Sequence, residues 1–109
     1  MFTIDKYNKM KLTQGDTATI LIEVYDLDNN KYNVTDEDEI LMTVKKTTTA
    51  PIAFQKAATQ DCYIIINPAD TQELKTGLYV YDVQLTTKTG AVYTIVPESY
   101  FEITPQIGG

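Results

Sequence analysis

Histidine and arginine are missing from this chain altogether, serine occurs once (Ser99) and cysteine once (Cys62). Each shortage removes a class of chemistry. A nucleophilic triad needs a base beside the nucleophile's proton, usually an imidazole, so the common Ser-His and Cys-His arrangements are excluded and no enzyme is expected. A nucleic-acid surface needs a basic face that releases counterions. Here nine lysines stand against fifteen acids, a net charge of −6, which argues against nucleic acid and against anionic membranes. One cysteine permits no intrachain disulfide, and a lone cysteine in a β-rich run reads as a small buried hydrophobe. No apolar run reaches the roughly 18–20 residues of a membrane span. Residues 1–6 lack the apolar centre of a signal peptide, so Sec-type export is not expected.

What is present is an ordinary globular composition, 43% apolar and 22% charged over 109 residues, enough for one modest core. The chain is organised around Gly77 to Val96. Along its first run Tyr79, Tyr81, Val83 and Leu85 point one way, and Asp82, Gln84 and Thr86 the other. That period of two marks a strand with one buried face. Thr87-Lys88-Thr89-Gly90 makes the turn, with Gly90 supplying positive φ, and the chain returns antiparallel. A hairpin of this kind needs further strands to cover it.

The remaining segments supply them. Residues 1–9 read as a short strand (Phe2, Ile4) or an arm that docks on a neighbour. Lys11 to Thr17 reads as a turn punctuated by Gly15 and Asp16. Ala18 to Tyr25 is a strand with Ile20, Ile22 and Val24 inward. Ile40 to Lys46 is another, with Ile40, Met42 and Val44 inward, closed at Pro51. Ile52–Lys56 and Cys62–Ile66 are two more. Asn67 to Thr76 carries the helical pattern, with Asp70 as cap, Glu73 three residues on, and Gly77 as the stop. Pro97-Glu98 interrupts the pattern before a last strand, Ser99–Thr104, with Phe101 and Ile103 inward. The expectation is an all-β chain: an Ig-like antiparallel β-sandwich of about seven to eight strands with one short helical turn over residues 10–105, and a tail at 106–109.

Three patterns invite a binding role. Asp26, Asp28, Asn30 and Glu37 fall at positions one, three, five and twelve of a calcium loop, but Lys31 occupies the position that needs glycine. A strand-to-strand turn with an acidic rim explains the same residues, and a calcium-stabilised adhesin-like domain is the alternative. Asn33-Val34-Thr35 matches a glycosylation acceptor, which without an export signal reads as chance. Tyr79 and Tyr81, with Tyr93, could stack on sugars as in a carbohydrate-binding module; such a stripe is more often core or interface. No catalytic, cofactor-binding or metal-ligating residue is assigned, and no cofactor.

The run Leu12-Thr13-Gln14-Gly15-Asp16-Thr17, the Asp26–Asn30 turn, the strand ending Val44-Lys45-Lys46, the stretch from Asp70 to Val83, and the closing Gly90–Val96 and Phe101–Thr104 together resemble a phage module. It is similar to the N-terminal β-sandwich domain of upper baseplate proteins of tailed phages infecting Gram-positive bacteria. The likeness covers about residues 10–104 and departs at Pro97-Glu98, where a glycine-bearing turn is expected. In that family the module heads a longer chain, so this sequence is either a stand-alone piece or a fragment. The resemblance implies a virion component made in the bacterial cytoplasm. It would contact other tail, baseplate or fibre proteins, with self-association also open, and it carries over no catalytic residue. Lys45, Lys46 and Glu102 are expected to guard sheet edges until a partner docks.

Overall fold

The structure is a computed structural model that describes residues 2–4, 6–26 and 28–107. Seven strands and a single helical turn carry the fold: β2 (Met10–Thr13), β3 (Ala18–Leu21), β4 (Glu39–Lys45), β5 (Ile52–Ala57), β6 (Tyr63–Ile66), α1 (Pro68–Gln72), β7 (Gly77–Thr86) and β8 (Val92–Thr104). Phe2–Ile4 adds a three-residue β1 beside β2, which makes residues 2–4 a strand; Met1 and Asp5 lie outside the described residues, as do Gly108 and Gly109 of the expected tail.

The hairpin stands at the centre as the alternation requires. Tyr79, Tyr81, Val83 and Leu85 are buried and Gln84 is exposed. Gly90, at φ +89°, closes the turn by donating to the Thr87 carbonyl at 2.9 Å. β4 pairs antiparallel with β7 and β5 with β4, so Ile40, Met42 and Val44 join the same core.

The architecture is mostly β but not the expected Ig-like antiparallel sandwich. The large sheet runs β1-β2-β8-β7-β4-β5, and β2 lies parallel to β8, with Met10 opposite Phe101 and Thr13 opposite Thr104. It curls into a half-barrel, and a separate two-stranded ribbon, β3-β6, lays Ile20, Ile64 and Ile66 on its core side. The same ribbon direction continues past β3, where Ile22 and Val24 are buried. Phe101 lies at the centre of the core, edge-on to Phe54 at 6.0 Å and to Tyr81 at 6.3 Å.

Several local expectations are corrected. Lys11 to Thr13 is strand, not turn, because Leu12 is fully buried between Phe2 and Ile103 in the ladder. β3 ends at Leu21 rather than Tyr25, although the Ile22 N–H still reaches the Cys62 carbonyl at 2.8 Å. Cys62 is only half-buried and precedes its strand, at φ +67° in the turn that Thr59 closes. The helix cap sits three residues earlier than expected. Asn67 is the N-cap, and Asp70 is the third helical residue, accepting the Asn67 N–H at 2.7 Å. The helix ends at Gln72, and Gly77 opens β7 instead of closing the helix.

Pro97 does not interrupt β8. Ser99 pairs with Tyr81 and Val96 with Val83, so β8 carries an extra residue there, and the β2 ladder covers only Phe101 to Thr104. A proline placed in a bulge has no ladder N–H to lose. Lys45 and Glu102 sit on inner strands rather than edges, and Lys46 reaches across to the Leu78 carbonyl at 3.0 Å. In a mixed sheet the edges fall on β1 and β5, away from these charges.

Candidate interaction surfaces

Two faces of the molecule combine apolar exposure with organised backbone. The first is the outer side of the small ribbon. The β3–β6 register sets Leu21 opposite Tyr63 and Thr19 opposite Ile65. Because alternate residues already serve the core, these four face outward. Leu21 is 50% exposed, Tyr63 39% and Ile65 38%. Tyr25, 51% exposed, extends the same row, and its hydroxyl donates to Glu23 Oε2 at 2.7 Å. That hydrogen bond to a carboxylate raises the tyrosine's pKa above its usual value.

The second face is the outer side of the large sheet. A shallow groove of about 300 Å³ runs over Thr43, Lys45, Gln55, Asp82 and Glu98, and a second of about 390 Å³ adjoins it at Val80 and Glu98 and reaches Tyr7 and Tyr100. Burial lifts the pKa of Asp82 above the ordinary aspartate value. Lys45 opposes that rise and Glu98 adds to it. Glu98 accepts from the Thr48 hydroxyl at 2.5 Å, and Gln55 Nε2 donates to Thr43 Oγ1 at 2.9 Å.

The tyrosines divide differently from the sequence reading. Tyr79 and Tyr81 are buried and spend their hydroxyls on the carbonyls of Lys75 and Asn8, so neither offers a ring to a ligand. Tyr93, past the bulges, is 56% exposed, and Tyr100 54%. Tyr100 was not singled out by the sequence, because the β8 pattern breaks at Pro97 just before it.

The acidic turn is held by its own backbone. Asp26 Oδ1 accepts from the N–H groups of Asp28 and Asn30, both at 2.9 Å. Glu37 is drawn away to Lys88 at 3.1 Å. Asp38 accepts from the Thr35 N–H and the Tyr32 hydroxyl, bonds that hold its pKa below the usual aspartate value. Among the described residues no three His, Cys, Asp or Glu side chains converge on a point where a metal ion could sit. Two of the four candidate ligands are thus engaged elsewhere, Asp26 with the turn's own N–H groups and Glu37 with Lys88. Asn33 is exposed in the same connection. No helix among the described residues is long and apolar enough to cross a membrane.

Comparison with known proteins finds no matching family model, no matching curated protein and no matching solved structure.

Proposed function

We propose that this chain is a non-catalytic adaptor of a phage or prophage virion that joins tail, baseplate or fibre components through protein–protein contacts. The observation that carries the reading is the outer side of the β3–β6 ribbon, where Leu21, Tyr63 and Ile65 are exposed on one small sheet and Tyr25, beyond the end of β3, is exposed as well. Single exposed apolar residues are normal, whereas several on one face of a two-stranded sheet favour an interaction surface. The virion context rests on the resemblance of the residue pattern to the baseplate module.

The test is co-expression with the tail, baseplate and fibre proteins encoded beside it, followed by size-exclusion chromatography with light scattering. Formation of a defined complex supports the reading. A chain that elutes as a monomer alone and in every such mixture overturns it.

A second reading, a sugar-binding module, is favoured by one observation. Tyr100 presents a half-exposed ring beside Glu98, Ser99 and the groove that leads to Asp82. Titration with cell-wall oligosaccharides, followed by amide shifts at Val80 and Tyr100, tests it, and unchanged shifts remove it.

A further inference from the structure

We infer that the free edge of β3 takes up an extended strand from a partner protein, one with alternating apolar residues and basic flanks. The inference rests on the reading of the chain as an interaction module and names the edge and the chemistry that reading leaves open.

The ladder decides which backbone groups are free. Ile22 N–H donates to the Cys62 carbonyl, and the same register pairs Ile20 with Ile64 and Ala18 with Ile66. Hydrogen-bonded positions alternate along an antiparallel pair, so Ala18, Ile20 and Ile22 turn their N–H and C=O groups toward β6. Thr19 and Leu21 turn theirs to the opposite side, where no strand lies. Among the described residues nothing bonds to the backbone of either. On the other margin of the ribbon the equivalent groups of Tyr63 are occupied: its N–H donates to Thr59 Oγ1 at 3.2 Å and its carbonyl accepts the Thr59 N–H at 2.8 Å.

The usual protections of an edge are absent here. Ala18 to Tyr25 contains no lysine and no proline, and its single charge, Glu23, lies beyond the end of β3 at Leu21. The core side of the run is also less sealed than its partner. Ile20 and Ile22 keep 7% and 8% exposure, whereas Ile64 and Ile66 keep none. A strand added at this edge would place one row of side chains beside Leu21 and the other beside Ile20 and Ile22.

Charge selects the occupant. Glu23 shares the outer face with Leu21, and Asp26 and Asp28 follow the run; none of these three is ion-paired to a lysine in the described structure. Lys31, opposite Tyr25, is the cation placed against them. Acidic flanks around a neutral edge favour lysine or arginine at the ends of the incoming strand. A second copy of a chain with net charge −6 is disfavoured on the same ground.

The test uses the full chain and a synthetic nine-residue peptide of alternating valine and threonine with two lysines at each end. Amide hydrogen exchange is followed by NMR. The expected result is slowed exchange at Thr19 and Leu21, with weaker binding when glutamates replace the lysines and a difference that shrinks as salt rises. Thr19→Pro removes an outward N–H without touching a β3–β6 bond, and is expected to abolish the slowing at Leu21. Leu21→Lys, which leaves the backbone intact, is expected to weaken binding if the proline variant does not fold. Slowing confined to β1 or β5, or none at all, overturns the proposal. So does slowing at Thr19 and Leu21 that grows with protein concentration alone, since that assigns the edge to a second copy. If Thr19→Pro folds and still forms the complex sought above, the edge is wrong and the adaptor reading stands; if no complex forms with either protein, the adaptor reading falls on its own test.

Discussion

The Gly15 N–H donates to the Thr71 hydroxyl at 2.9 Å, across fifty-six residues of sequence. This bond ties the turn that leads into β3 to the helical turn that precedes β7. Gln14 reinforces it, its side-chain amide donating to the Gln72 carbonyl at 3.0 Å and also to those of Thr71 and Leu74. One side chain thus helps close the C-terminal end of α1, where the Thr71 carbonyl also accepts the Leu74 N–H at 3.0 Å. Thr71 itself is fully buried.

Removing that hydroxyl leaves a donor unpaired. Thr71→Val is expected to lower stability by about 0.5–1.5 kcal/mol, the net worth of one hydrogen bond whose Gly15 donor is only partly buried. Thr71→Ser keeps the acceptor and is expected to cost less. Urea denaturation checks this through a lower midpoint with an unchanged slope.

Asp82 gives the molecule a pH dependence of definite sign. Burial raises its folded pKa, so its ionised form weighs against the folded state. Stability from this group is greatest at low pH and is lost as pH rises through the folded pKa. Asp82→Asn is therefore expected to melt at a higher temperature than the parent protein at pH 7. The difference closes below about pH 4, near the unfolded aspartate pKa. Thermal melts of both proteins across that range provide the check.

Gly90 sits at φ +89°, and nothing lies within 4 Å of where a Cβ would be. Any cost of a side chain there is conformational rather than steric. Gly90→Ala is expected to lose roughly 1–2 kcal/mol. Gly90→Asn is expected to lose less, because asparagine tolerates the left-handed region. Comparing the denaturation midpoints of the two variants separates these outcomes.

Phe101 is fully buried between the rings of Phe54 and Tyr81. Phe101→Ala is expected to cost about 3–5 kcal/mol through lost burial and the cavity left behind. Against a typical domain stability of about 5–15 kcal/mol, that is enough to leave a detectable unfolded fraction at 37 °C. Phe101→Leu, which refills most of the space, is expected to retain a cooperative melt.

The parts of the fold that were legible in the sequence are those encoded by near neighbours. Tyr79 to Leu85 alternates cleanly because one face of β7 is buried along its whole length, and Gly90 marks its turn. Ile40, Met42 and Val44 repeat the signal in β4. The parallel pairing of β2 with β8 joins residues about ninety positions apart, and no local pattern encodes it; without it, Lys11 to Thr13 reads as turn. Pro97 looked like a break because a bulge absorbs it, an arrangement visible only when Tyr81 and Val83 are set beside Ser99 and Val96. The candidate surface was less legible still. Leu21 breaks the alternation of its strand and reads as lying under a partly covered outer face, whereas the separate two-stranded ribbon leaves it, with Ile65, exposed.

The pairing of Phe2 with Leu12, and of Leu12 with Ile103, also fixes how the molecule meets mechanical tension. Pulled at Phe2 and Thr104, β1 peels from β2 one residue pair at a time. The load then passes to Met10 and Thr104, which lie at opposite ends of two strands running the same way. Those strands can separate only by sliding, with every bond between them strained together. A part tugged through its two ends therefore yields first at a small, cheaply re-closed flap and then holds at the ladder beneath it.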